Sequence, residues 1–241
     1  MTVKEHYDNH LAAVYSWMLG DFDTAKNSFK EYCIKNEIIP GENGLAIDLG
    51  AGSGIQSIAL AELGFKVKAI DFNEKLLAEL ELKKADYPVE IINGNMLNFN
   101  LIVPEQPVDL ISCCGDTISH LETFGQLDQL LKDCHNALVH DGRLILTFRD
   151  YSKVLSDTHR FIPVKSDENR ILTCIIDFLN DKIMVTDLLQ ERIQGKWIQK
   201  ISSYEKLRIT DDMILKKVQR IGFSVIDHNI IKGMTHLILL K

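Results

Sequence analysis

Two hydrophobic periods run along this chain. Compact apolar runs recur near 45–49, 66–71, 88–93 and 108–113. Between them, apolar residues fall three and four apart, near 54–63, 74–85 and 122–138. The compact runs predict buried strands and the spaced stretches predict amphipathic helices. Pro40-Gly41-Glu-Asn-Gly44 turns the chain into the first strand, and Asp141-Gly142 turns it into a fifth, Arg143-Leu-Ile-Leu-Thr-Phe148. Repeated strand–helix alternation is the pattern of a doubly wound, mostly parallel α/β sheet with helices on both faces.

The flanks read differently. Residues 4–36 predict two helices broken near Gly20-Asp21, with Leu11, Val14, Tyr15 and Met18 at helical spacing. Segments 170–179, 182–193 and 197–209 are rich in Ile, Val, Thr and Leu, and Asn180-Asp181 and Gln194-Gly195 are hairpin turn pairs. They predict an antiparallel β insertion, or cap, over 158–209. Thr210 then caps a helix that runs to about Arg220 and stops at Gly222. Final strands near 223–231 and 234–240 return as an antiparallel pair, completing a seven-stranded sheet. The expected organisation is one domain over 1–241, with 4–36 as an N-terminal helical lid.

Composition sharpens this picture only at the edges. The hydrophobic fraction of 46% suits a globular protein. No apolar run approaches the roughly 18 residues that span a bilayer. Met1-Thr-Val-Lys-Glu-His6 has no apolar block behind it, unlike a signal peptide. Five scattered cysteines without a C-x-x-C pair suit reduced thiols in a cytoplasmic protein, and no cluster has metal-ligand spacing. The net charge of −7 is uneven. Residues 1–149 hold 12 Lys+Arg against 22 Asp+Glu, or −10; the remainder holds 15 against 12, or +3. An acidic body disfavours long nucleic acid as a partner, because phosphate neutralisation dominates such binding.

The chemistry concentrates in Leu45-Ala-Ile-Asp48-Leu-Gly50-Ala51-Gly52-Ser-Gly54-Ile-Gln-Ser-Ile-Ala-Leu60. This is a strand, a glycine turn and a helix start. Glycines permit positive φ and close approach of backbone to a ligand. The dinucleotide fingerprint G-x-G-x-x-G counted from Gly50 requires glycine where Ile55 stands. Asp48 beside the turn disfavours pyrophosphate and favours a cationic nucleotide-like ligand. Asp71 ends the second strand, where an acid in a βαβ unit takes ribose hydroxyls.

The loop paired with Asp71 resembles motifs I and II of the Rossmann-like class I S-adenosylmethionine-dependent methyltransferases. Cys113-Cys-Gly-Asp-Thr-Ile-Ser-His-Leu121, Asp141-Gly-Arg-Leu-Ile-Leu-Thr-Phe-Arg-Asp-Tyr151, Val14-Tyr-Ser-Trp-Met-Leu-Gly-Asp21 and Ser203-Tyr-Glu-Lys-Leu-Arg208 are similar to segments of glycine N-methyltransferases and related small-molecule enzymes. The resemblance implies S-adenosylmethionine as cofactor, with S-adenosylhomocysteine as product. It places Gly50, Ala51 and Gly52 at the methionine moiety, Asp71 at the ribose and Phe72 near adenine. Asn95 would bond the adenine amine, Met96 would pack on its ring, and Leu97 belongs to the same loop. Cys114 and His120 match positions beside the sulfonium, and Tyr15 matches an aromatic over the cofactor. Arg149 matches the arginine that takes the acceptor's carboxylate, although an ion pair with Asp150 would also explain it. Asp116 is a candidate to polarise an acceptor amine, or a helix-cap neighbour.

The chain also departs from that family. The arginine that takes the cofactor carboxylate has no match in the early helices; Lys26 is the candidate substitute. A tyrosine at the start of the insertion is replaced near Val164. The expected function is methyl transfer to a small molecule, at the amine nitrogen of an amino-acid-like compound. RNA, protein or oxygen methylation, a non-catalytic cofactor-binding module, and a homo-oligomer stay open.

Overall fold

A computed structural model describes residues 1–103 and 107–241. Five parallel strands form the centre: β1 (Leu45–Leu49), β2 (Lys66–Asp71), β3 (Val89–Asn93), β4 (Val108–Cys113) and β5 (Leu138–Phe148). The last two strands, β10 (Ser224–Ile231) and β11 (Met234–Leu240), are antiparallel, giving the order β10-β11-β5-β4-β1-β2-β3. The remaining strands, β6 (Phe161–Ser166), β7 (Arg170–Phe178), β8 (Lys182–Ile193) and β9 (Lys196–Leu207), make a separate four-stranded antiparallel sheet.

Alternation within β1 shows how the layers arise. Leu45, Ile47 and Leu49 point into one apolar cluster and Ala46 into the other. The first cluster is closed by α7 (Phe124–Ala137) and α8 (Asp211–Ile221), through Leu127, Leu130, Leu131, Ile214 and Val218. The second is closed by α3 (Phe22–Lys35), α4 (Ile55–Glu62) and α5 (Glu74–Lys83), through Phe29, Ile58, Leu60 and Leu80. Each fully buried Leu, Ile or Phe contributes roughly 1.5–3 kcal/mol. A sheet sealed on both faces leaves its strand ends as the place for a ligand, where the order reverses between β1 and β4.

The N-terminal segment consists of α1 (Val3–His6), a π-helical turn (Tyr7–Leu11) and α2 (Ala12–Leu19). It breaks at Gly20, whose φ of 96° ends α2, and Asp21 caps α3 by accepting the Thr24 N–H at 2.8 Å. The stripe expected from helical spacing packs on the inserted sheet: Leu11 and Val14 meet Leu172 and Leu189. His6 is buried there, with Nδ1 2.7 Å from Ser202 Oγ and Nε2 3.1 Å from Asp187 Oδ2. Trp17 donates to Asp167 at 2.6 Å.

Three elements differ from the sequence expectation. Asp141-Gly142 is an interruption inside β5, not the turn before it: the strand starts at Leu138, and its pairing with β4 shifts register between Val108 and Leu110. Asp141 takes a φ of 63°, the left-handed value that made the pair read as a turn. β6 lies inside the expected insertion but was not named as a strand of it; it is an edge strand, where Pro163 is tolerated, with a bulge between Pro163 and Lys165. A short α6 (Phe99–Ile102) follows β3. Among the described residues no helix is long and apolar enough to cross a membrane.

Candidate active site

A cavity of about 1180 Å³ opens where β1, β2, β3 and β4 end. Its floor is made by the loops after these strands, and its roof by α1, the π turn and the near ends of β8 and β9. That volume exceeds the roughly 300–1,000 Å³ usual for one small ligand.

The floor holds most of the expected cofactor residues. Gly50, Gly52, Asp71, Phe72, Asn95, Met96 and Leu97 all line it, as does Tyr15 in the roof. Gly50 has a φ of 73°, and a Cβ there would lie 2.4 Å from Thr117 Cγ2, so only glycine fits. Asp71 reaches across the turn: Oδ2 accepts the Gly52 N–H and Oδ1 the Asn73 N–H, each at 2.8 Å. Burial raises its carboxyl pKa, against the backbone N–H groups that hold its charge. Each oxygen keeps a lone pair for a further donor. Asn95 Oδ1 accepts the Leu97 N–H at 2.9 Å and so fixes the loop that carries Met96.

Other expected residues lie elsewhere. Asp48 is sealed beneath the loop, accepting from Ser57 Oγ at 2.6 Å and Ser112 Oγ at 2.7 Å. Burial pushes its carboxyl up to about 6 despite both hydroxyls. It clamps β1 to α4 and β4 and does not line the cavity. Gly54 opens α4 against Leu80, where a Cβ would collide at 2.2 Å; its role is packing. Ala51 and Cys114 belong to the apolar cluster beneath. Burial raises the Cys114 thiol far above its ordinary range, so it is no thiolate. Lys26 pairs with Glu62 at 2.6 Å and with Asp23 at 3.2 Å, away from the cavity.

The expected acceptor residues are also redistributed. Arg149 is exposed, with its Nη1 3.9 Å from where a Cβ on Gly233 would be, outside the cavity lining. It makes no ion pair with Asp150 either, whose carboxylate accepts from Ser152. A strand end fixes the backbone of Arg149, but the long side chain follows solvent. Asp116 is buried at a φ of 70°. Its carboxylate accepts the Arg149 N–H at 3.0 Å, the Tyr151 hydroxyl at 2.9 Å and Lys206 Nζ at 2.8 Å. Burial alone would raise its pKa; the Lys206 ammonium leads the groups that hold it below the ordinary carboxylate value. Asp116 does not line the cavity, whereas Lys206 does.

His120 does line it, on the 3-10 turn Thr117–His120. Its ring centroid is 5.6 Å from Tyr7 and 5.8 Å from Tyr204. Burial, with Lys206 next, lowers its pKa to about 3, so the imidazole is neutral at pH 7. Nε2 is buried and has no hydrogen-bond partner among the described residues. Tyr7 sits centrally, 6.0 Å from the Phe72 ring and 5.9 Å from Tyr15.

Tyr204 and Lys206 were not singled out from the sequence. The available signal was period two: Ser202, Tyr204 and Lys206 alternate along β9, and a lysine on the inward side of a half-buried strand needs a partner.

These loops match known proteins. Residues 46–142 match a methyltransferase domain family. The glycine/sarcosine N-methyltransferase of Aphanothece halophytica is 26% identical over 159 residues, covering 64% of this chain and 59% of its own length. The fold matches an S-adenosylmethionine-dependent methyltransferase from Clostridium acetobutylicum at 18% identity, with a TM-score of 0.73 over 98% of this chain and 96% of that one. Residues 46–142 of this chain are a methyltransferase domain, and the fold around them resembles that of the class I S-adenosylmethionine-dependent methyltransferases. An amino pentose methyltransferase from Micromonospora echinaspora, solved with S-adenosylmethionine, shares the fold at 14% identity, with a TM-score of 0.75 over 95% and 94% of the two chains.

The floor of this methyltransferase fits the cofactor. The turn is open at Gly52, where a Cβ would meet nothing nearer than Tyr15 Cε1 at 3.8 Å, and Asp71 offers unused acceptor capacity to ribose hydroxyls. Phe72, Met96 and Leu97 offer an apolar wall for a purine.

Proposed function

We propose that this methyltransferase methylates the amine nitrogen of a small molecule. The observation that carries this reading is a neutral histidine, His120, lining an aromatic chamber with its Nε2 unpaired. S-adenosylmethionine supplies, when bound, a methyl group activated by the positive charge on its sulfur. Gly50, Gly52, Asp71, Asn95, Met96 and Leu97 would hold it. Tyr7 and Tyr15 present ring faces, which attract cations.

The side chains position and desolvate the acceptor. A histidine lowered to about 3 is a neutral imidazole at pH 7, with one bare nitrogen. In the tautomer that leaves Nε2 bare, His120 accepts an N–H from the amine and aims its lone pair, while the amine enters already deprotonated, its proton lost to solvent. Orientation of this kind supplies roughly 7–11 kcal/mol of barrier reduction. Tyr7, Tyr15 and Tyr204 are neutral as well: burial raises all three phenols, Tyr15 to about 12.

The comparisons support an amine. The Aphanothece protein is named for glycine and sarcosine, and the Micromonospora protein for an amino pentose. An amino-acid acceptor anchored by Arg149 has no support in the geometry, since that side chain lies outside the chamber. The experiment is a screen of primary and secondary amines for S-adenosylhomocysteine release, with the product identified by mass. Methylation at nitrogen is expected. Methylation confined to oxygen, RNA or protein acceptors would refute it.

A further inference from the structure

The roof of the cavity carries a charge balance that restricts the acceptor. Among the described residues no arginine lines the cavity, and three lysines do, each already facing a carboxylate. Lys4 meets Asp8 at 2.5 Å, Lys182 meets Glu205 at 2.6 Å and Lys206 meets Asp116 at 2.8 Å. The first two lie towards the mouth, with side chains 60% and 32% exposed; Lys206 is 11% exposed and lies deepest. A carboxylate brought beside Lys206 would be a second negative charge against one cation. Burying charge without its own partner is costly.

Hydrogen-bonding capacity is plentiful, by contrast. An ammonium has three donors, and Lys206 uses one, on Asp116. The Tyr7, Tyr15 and Tyr204 hydroxyls line the chamber and make no hydrogen bond among the described residues. His120 Nε2 is unpaired beside them. Around His120 and Tyr204, then, stand neutral donors and acceptors and one neutralised cation with donors to spare. The Lys206 ammonium is held 5.7 Å from the Tyr204 ring, on the same strand and side.

We propose that the acceptor is a hydroxyl-bearing amine, an amino alcohol or amino sugar, and that Lys206 is an acceptor-binding residue donating to a hydroxyl oxygen near the amine. This rests on the amine reading above and narrows its substrate class. A hydroxyl accepts the spare Lys206 hydrogens without adding charge, and donates its own hydrogen bond to a tyrosine oxygen or histidine nitrogen. Asp116 positions Lys206: with Tyr151 and the Arg149 N–H on the same carboxylate, it fixes the ammonium between the inserted sheet and the end of β4.

The test uses the full chain and a matched set of ring amines: cyclohexylamine, 2-aminocyclohexanol and 2-aminocyclohexanecarboxylate, with glucosamine and glycine alongside. Methylated product is followed by mass, across pH to allow for amine basicity. The hydroxyl-bearing amines should exceed both their bare and their carboxylate counterparts in kcat/KM by at least about tenfold. Because Lys206→Met leaves Asp116 buried and unpaired, the Lys206→Met/Asp116→Asn double variant is made as well. In the folded variant, KM for the hydroxyl amine should rise about tenfold or more while S-adenosylhomocysteine affinity stays within about twofold. Equal or better use of the carboxylate amines overturns the proposal. So does loss of cofactor affinity in the double variant, which would give Lys206 to the cofactor. A protein that methylates bare amines only refutes the hydroxyl assignment and leaves the amine reading intact. A protein that binds cofactor but methylates no amine defeats both.

Discussion

Lys206 and Asp116 meet at 2.8 Å across the joint between the inserted sheet and the end of β4, 90 residues apart in the chain. Both side chains are nearly inaccessible, at 11% and 6% exposure. The pair ties the inserted sheet that roofs the cavity to the loop after β4.

Removing one partner should therefore cost more than removing both. Asp116→Ala leaves the ammonium buried alone and should destabilise the fold by about 3–5 kcal/mol. The Lys206→Met/Asp116→Asn double variant should lose clearly less. Urea denaturation of the variants reads the difference. Asp116 has a lowered carboxyl pKa, so its contribution is present above the ordinary carboxylate value. It should be lost only as pH falls through the lower folded value.

Asp48 should behave in the opposite sense. Its folded carboxyl is raised to about 6, against roughly 3.9 in an unfolded chain. Between those values the folded state binds more protons, so stability falls as pH rises from about 4 to 6 and is flat above. The span corresponds to roughly 3 kcal/mol, an order-of-magnitude figure. Asp48→Asn should flatten that slope and be neutral or stabilising at pH 7, with Ser57 and Ser112 still able to bond the amide. Denaturation curves from pH 4 to 7 check this; a steeper slope in the variant would contradict it.

Asp71→Ala should weaken cofactor binding by about 1.5–3 kcal/mol, the worth of hydrogen bonds to a charged group. Calorimetry with S-adenosylmethionine and S-adenosylhomocysteine measures it, with NADH as control. Because Asp71 also accepts from Gly52 and Asn73, thermal melting of the free variant separates loop damage from lost ribose contacts. Tighter binding of NADH than of either methyl-cycle ligand would count against the assignment of the floor.

The N-terminal segment should act as a roof whose stability depends on His6. The imidazole stacks on Tyr204 with centroids 4.0 Å apart and reaches Ser202 and Asp187. His6→Ala should speed hydrogen exchange over residues 3–19, and cofactor should slow it in the wild type. Identical exchange in all three states would rule out a closing roof.

The parent sheet was legible because each strand is a dense apolar run bounded by turn residues. The turn at the cavity floor was legible because glycines 50 and 52 and Asp71 sit at fixed distances along one strand–turn–helix unit. The roof of the cavity was not, because its parts are remote in sequence. Asp116 reads as a loop acid until Lys206 arrives from β9. Arg149 was placed at the right strand end, yet sequence cannot say which way a long side chain leaves it. β6, an edge strand that holds Pro163, went unnamed within the insertion, and the Asp141-Gly142 pair read as a turn where the structure has a strand interruption with Asp141 left-handed.

The central claim is that one cavity holds S-adenosylmethionine on its floor and an amine under its roof. A single-turnover reaction with isotope-labelled methyl cofactor and a hydroxyl-bearing amine tests it most directly. The account predicts that the label moves to the amine nitrogen, and that Asp71→Ala slows this at limiting cofactor while the double variant at 206 and 116 slows it at limiting amine. Label that stays on the cofactor, or that appears on oxygen with no dependence on Lys206, contradicts the account.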